Sequence, residues 1–152
     1  MRQIPQVARL LIRESERCIL HPYLDIANIP TIGWGAIYGP TGARVSLSDQ
    51  PITQDMADWL WTRDVNIAGR AIERLLPNCP LTDNQYAALL DFTFNLGSGV
   101  LQRSSVRQAI LRLAYEDVPE RLLLYRMANG QPSRGLLARR TKEARLWNLS
   151  TA

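Results

Sequence analysis

The chain carries one histidine, His21, directly before Pro22, so no Ser/His/Asp set can form beyond it, and a lone histidine in such a turn reads as structural. Cys18 and Cys79 have no second histidine near them, and their spacing fits no metal site. No Gly-rich phosphate loop follows a predicted strand. Carboxylates remain, and cleavage of a glycosidic bond needs only two of them: one protonates the leaving oxygen and the other serves water or the sugar cation. The stretch richest in suitable types is Glu16-Arg17-Cys18-Ile19-Leu20-His21-Pro22-Tyr23-Leu24-Asp25, followed by Asn28-Ile29-Pro30-Thr31-Ile32-Gly33-Trp34-Gly35.

The elements that must hold these residues are legible from pattern. Pro5 to about Leu20 reads as a helix, with Val7, Leu11 and Cys18 at helical spacing, and His21-Pro22 ends it because the residue before proline avoids the helical region. From Tyr23 to Ser48, glycines and prolines punctuate short runs such as Thr31-Ile32 and Ala43-Arg44-Val45, a pattern of short hairpins. Thr53 caps a long helix carrying Met56, Trp59, Leu60, Ile67, Ile72, Leu75 and Leu76, and Pro77-Asn78-Cys79-Pro80 breaks it. Thr82 to Gln85 forms a capping box opening a helix to about Asn95, ended by Gly97 and Gly99. Ser105 to Gln108 is a second such box. Asp117 to about Tyr125 is a further helix, Asn129-Gly130 a turn, and Gly135 to Leu149 a basic closing helix. The fold class is α+β: mainly helical, with one small β lobe after the first helix. One domain spans 1–152, its β lobe about 22–50 and its helical lobe 1–21 and 51–152.

Composition bounds the function classes. At 152 residues, 46% hydrophobic and 21% charged, the chain can bury one core and carries no repeat, low-complexity tract or long linker. A net charge of +4 suits a polyanionic partner and equally serves as a solubility charge. No nucleic-acid motif or basic arm appears, so nucleic acid is not an expected partner. Met1-Arg2-Gln3-Ile4-Pro5 lacks the apolar core of a signal peptide, and no stretch spans a membrane, so soluble synthesis in the cytoplasm is expected. Both cysteines read as reduced, buried thiols, and no metal is expected.

The carboxylate stretch resembles the active-site signature of the phage-type lysozymes, glycoside hydrolase family 24: a glutamate, then Leu-x-x-Tyr-x-Asp, then Thr-Ile-Gly-aromatic-Gly. Glu16, Leu20, Tyr23, Asp25, Thr31, Ile32, Gly33 and Gly35 fill it at the family spacing, nine residues from glutamate to aspartate and six from aspartate to threonine. Downstream, Leu81 to Tyr86 with Ala88-Leu89, then Phe92-Thr93-Phe94-Asn95-Leu96-Gly97, is similar to the family's central helix. Gly135-Leu136, Arg139-Arg140, Glu143 and Leu146-Trp147 resemble its C-terminal helix. The resemblance runs from about Pro5 to Leu149. It departs at Arg17 and Asn28, where the family usually has glycine, and at Ala36, where it often has histidine.

The resemblance implies a lysozyme-like fold with a cleft between two lobes, and a cofactor-free N-acetylmuramidase. Glu16 is implied as general acid; a helix C-terminus together with Ile12, Ile19 and Leu20 would favour its protonated form, whereas Arg17 would oppose it unless it points to solvent. On helix position alone, a surface glutamate paired with Arg13 or Arg9 is the better reading, and the spacing to Tyr23, Asp25 and Thr31 is what favours the catalytic one. Asp25 is implied to stabilise positive charge and orient water, and is otherwise an Asx-turn residue. Thr31 is implied to hold the water, and is otherwise a strand residue. Tyr23, Trp34, Asn95 and Gly97 are substrate-lining candidates, with core positions as the alternative for both aromatics. Of Arg139 and Arg140, one is expected inside, reaching Glu16 or the saccharide; a solvated basic face shared with Arg134, Lys142 and Arg145 is the alternative. Trp59, Trp61 and Trp147 read as core or interface.

Bacterial peptidoglycan is the implied partner, with a holin for access to the wall, no stable membrane insertion and a monomeric state. The protein would stay in the host cytoplasm until lysis and then act in the wall. Two rival readings are a lytic transglycosylase, which needs one carboxylate, and a catalytically silent wall-binding or virion protein. A third is a membrane-active basic helix.

Overall fold

The computed structural model describes residues 1–149. Its elements in chain order are α1 (Gln6–Ser15), β1 (Ile19–Leu24), β2 (Pro30–Gly33), α2 (Gln54–Leu75), α3 (Asp83–Leu96), α4 (Ser98–Arg103), α5 (Ser105–Leu111), a 3-10 turn (Tyr115–Asp117), α6 (Val118–Leu122), β3 (Met127–Ala128), β4 (Gln131–Pro132) and α7 (Arg134–Asn148). The expected α+β, mainly helical class is what forms. The chain clusters into two compact units: Arg13–Asn66, and Met1–Ile12 together with the chain from Ile67 onward. The first takes in residues 13–21 and 51–66, beyond the 22–50 span that composition marks.

In the Arg13–Asn66 unit the helix stops sooner than expected. It ends at Ser15, and Ile19–Leu24 is strand. β1 pairs antiparallel with β2, matching Tyr23 to Thr31 and Leu24 to Pro30, and Leu20 O accepts from Ile52 N at 2.8 Å. Cross-strand bonds and the β-branched Ile19 outweigh a helical reading that rested on periodicity. Pro22 cannot donate to a ladder, and the register shifts between Ile19 and Tyr23. His21-Pro22 therefore bends a strand and does not end a helix. A small core of Ile32, Ala36, Val45 and Leu60 closes under Ile52 and Met56.

The unit that continues from Ile67 is built of helices. Thr82 accepts from Gln85 N and Gln85 reaches back to Thr82 N, the full expected capping box. The second cap sits one residue early: Ser104, buried, accepts from Arg107 N. Gly97 (φ +90°) ends α3, but Gly99 does not end the helical run; it lies inside α4. The expected helix from Asp117 is the 3-10 turn plus the five residues of α6, opened by Pro119 near its start. Asn129 and Gly130 both take positive φ, as a two-residue turn between β3 and β4 requires. α7 packs on α3 and α6. Phe92 meets Tyr125 edge to face, and Trp147 donates to Tyr115 O at 2.9 Å. Trp61 and Trp147 are buried, but Trp59 is half-exposed. Cys18 and Cys79, expected to be buried, are partly exposed free thiols.

Candidate active site

Glu16 follows α1 directly, and its backbone N–H still bonds Arg13 O at 3.3 Å. The carboxylate is met by the turn after β2. Ile32 and Ala36 exchange two 2.9 Å backbone bonds around the loop Gly33-Trp34-Gly35. Both glycines take positive φ, +66° and +99°. A Cβ at Gly33 would stand 3.3 Å from Ala57 Cβ of α2, and one at Gly35 3.4 Å from Glu16 Oε2. The two glycines let the loop close on the helix and on the acid.

Asp25 lies in the turn between β1 and β2. Its Oδ1 accepts from Ala27 N at 2.8 Å and Ile29 N at 2.9 Å, and Asn28 takes φ +58° inside that turn. The Asx-turn reading of Asp25 is therefore correct, and it engages one oxygen, leaving Oδ2 outside those bonds. Asn at position 28 suits the left-handed geometry. Thr31 is buried, and its hydroxyl donates to Ile29 O at 2.9 Å. Tyr23, the cross-strand partner of Thr31, has its phenol pushed up by burial and then by the negative charges of Glu16 and Asp25. Glu16, Tyr23, Asp25 and Thr31 thus share one electrostatic neighbourhood around the hairpin.

Trp34 is pinned, not loose. Its indole N–H donates to Asp58 Oδ1 at 2.7 Å, which also accepts from Gln54 at 3.1 Å. Arg13 stacks 4.6 Å from the Trp61 ring centroid and 5.3 Å from that of Trp34, with Asp58 at 3.7 Å. Sequence reasoning missed this cluster. Its signal was Gln54, Asp58 and Trp61 at one-turn spacing on a single helix face.

Asn95, Gly97, Arg139 and Arg140 belong to the other unit. Asn95 is half-buried near the end of α3, and Gly97 is exposed. Both arginines are buried, which corrects the expectation of one inside and one outside. Arg139 grips the buried Asp91 with two bonds of 2.9 and 2.7 Å, and Arg140 bonds Glu143 and lies 5.1 Å from the Phe92 ring centroid. Arg140 favours the Glu143 carboxylate, but burial and the hydrogen bond and charge of Asp91 outweigh it. Burial first, and then the hydrogen bond of Asp91, raise Glu143 well above the ordinary carboxylate value. Asp91 was the missing partner; a lone acid in the apolar run Ala87-Ala88-Leu89-Leu90-Asp91-Phe92 could have marked it.

The family model described as phage lysozyme matches residues 13–143. The endolysin of Salmonella phage P22 is 33% identical over 141 residues, 93% of each chain. The solved endolysin from Escherichia coli O157:H7 phage FAHEc1 superposes with a TM-score of 0.84 at 27% identity, covering 97% of this chain and 94% of that one. A crystal structure of a P22 lysozyme mutant gives 0.79 at 31% identity, covering 97% and 99%. With most of its length matched by that family model and a third of its residues shared with a full-length relative, the chain belongs to the phage lysozyme family.

Proposed function

We propose that this chain hydrolyses the β-1,4 bond between N-acetylmuramic acid and N-acetylglucosamine in bacterial peptidoglycan. The family and its endolysin relatives make it a wall-lytic glycosidase; the bond and the residue roles are the finer reading. The observation that carries it is the neighbourhood of Tyr23, which feels both Glu16 and Asp25 and pairs across the strands with Thr31.

Glu16 donates its proton to the glycosidic oxygen as the bond to the anomeric carbon lengthens. A water attacks that carbon from the opposite face and gives its proton to Asp25. The hydroxyl hydrogen of Thr31 is committed to Ile29 O, so its lone pairs are what a held water can donate to. Oδ1 of Asp25 is tied to the turn, which fixes the carboxylate and leaves Oδ2 for the water. Trp34, steadied by Asp58, offers an aromatic surface to a sugar ring. Two carboxylates and a held water give inversion at the anomeric carbon.

The positive net charge suits an anionic wall. Among the described residues no helix is long and apolar enough to cross a membrane. We place the enzyme in the host cell before lysis, reaching the wall through a holin-made lesion and acting as a monomer. Digestion of purified peptidoglycan tests the chemistry: hydrolysis yields reducing muropeptides at full mass. Products lacking one water would establish a transglycosylase instead, and no products at all would leave a silent wall-binding protein.

A further inference from the structure

On the Arg13–Asn66 unit two aromatic rings stand in solvent, each with an arginine plane against it. Trp59 of α2 is 52% exposed and Tyr38 is 41% exposed. Arg63 lies 5.8 Å from the Trp59 ring centroid, and Arg44 lies 5.3 Å from that of Tyr38. The two pairs form one surface, because Arg63 also donates to Tyr38 O at 2.8 Å and to Gly39 O at 2.9 Å. Tyr38 and Arg44 are themselves bridged across the hairpin. Arg63 is further held by Asp64 at 2.8 Å. The rings thus stand on a braced frame and cost little entropy to use.

We propose that this surface is a second glycan-binding face, separate from the Glu16 site, that holds the enzyme on the insoluble polymer it cleaves. The occupant follows from the balance of groups. Arg44 and Arg63 are offset by Asp64 and by the exposed Asp55, one turn before Trp59 on α2. An anionic lipid surface would demand an excess of positive charge. Flat aromatic faces ringed by both donors and acceptors suit a hydroxyl-rich neutral backbone, whose rings stack while its hydroxyls bond in both directions. None of these residues touches the reacting bond in the proposed mechanism. The identity of the glycan as peptidoglycan rests on the function proposed above; the existence of the face does not.

The test is a sedimentation assay with purified sacculi and the Glu16→Gln protein, which cannot clear its own target. Added Trp59→Ala and Tyr38→Ala substitutions should lower the affinity about three- to tenfold. Trp59→Phe should restore most of it, and Trp59→Leu, equally apolar but without a ring, should not. In the active background the ratio of turnover on intact sacculi to turnover on soluble muropeptide oligomers should fall. Thermal melts confirm that each variant is folded. Unchanged sacculus binding in folded variants overturns the proposal. So does a loss confined to anionic phospholipid vesicles, which makes the surface a membrane contact. If the unmodified enzyme bound sacculi through Trp59 but released no fragments, the hydrolase reading would fail and the binding face would stand.

Discussion

Gly35 faces the Glu16 carboxylate: a Cβ built on it would fall 3.4 Å from Oε2 and 3.9 Å from Cδ, at a φ of +99°. Gly35→Ala therefore imposes two penalties. Backbone strain costs about 1–3 kcal/mol of stability, and the added methyl lies in van der Waals contact with the carboxylate, where it displaces solvent from Oε2. The expected outcome is a folded protein with a lowered Tm and wall-digesting activity reduced by more than tenfold. Full activity with lowered stability would show that the Glu16 carboxylate is insensitive to this contact.

Glu16 is distinguished from its neighbour Glu14 by spacing alone, since only Glu16 precedes Asp25 by nine residues. Glu16→Gln should cost about 10²–10⁴-fold in rate while the fold persists, and Glu14→Gln should be close to neutral. Turbidity loss of permeabilised cells measures both. Because Glu16→Gln leaves the basic α7 intact, persistent clearing by that variant would assign lysis to membrane disruption.

Asp25 serves the turn with Oδ1, so its two roles separate by substitution. Asp25→Asn keeps an acceptor for Ala27 N and Ile29 N but removes the charge; activity should drop steeply with little change in Tm. Asp25→Ala removes both and should also lower the Tm, because the half-buried Ile29 N–H loses its acceptor while the exposed Ala27 N–H turns to water. Proton NMR of the first products decides the chemistry: inversion of the β-linked substrate delivers an α reducing end. An initial β anomer would make Asp25 a nucleophile and leave Thr31 without its role.

Glu143 makes stability pH-dependent. Burial, followed by the hydrogen bond of Asp91, raises it well above 4.5 in the folded chain. Between that ordinary value and the raised one, the folded state holds a proton that the unfolded state has lost, so stability falls as pH rises through this window. Its contribution is fully present below the ordinary carboxylate range and is lost as pH rises through the raised folded value. Glu143→Gln keeps a neutral donor beside Asp91 and should flatten this part of a Tm-against-pH curve. An unchanged slope would mean that Glu143 is ionised in the fold.

Local chemistry determined much of the molecule from the sequence alone. The Thr82–Gln85 box, the Thr53 cap, whose hydroxyl accepts from Met56 N, and the Asn129-Gly130 turn depend on neighbours within a few residues. So does the Asx turn of Asp25. The grouping of Glu16, Tyr23, Asp25 and Thr31 was legible through the spacing that resembles the family signature, and the structure carries three of them on a single hairpin with the fourth just before it. Tertiary structure decided what pattern could not. Ile19–Leu24 satisfies a helical period and an extended run alike, and only pairing with Pro30–Gly33 made it a strand. Burial of both Arg139 and Arg140 was invisible on one basic helix, because it depends on Asp91, 48 residues away from Arg139, which bonds Arg139 and also acts on Glu143, the partner of Arg140. A charge can be buried only where distant chain supplies its partner. Trp34 and Asp58 followed the same rule: the sequence contained both, and folding alone brought the indole to the carboxylate.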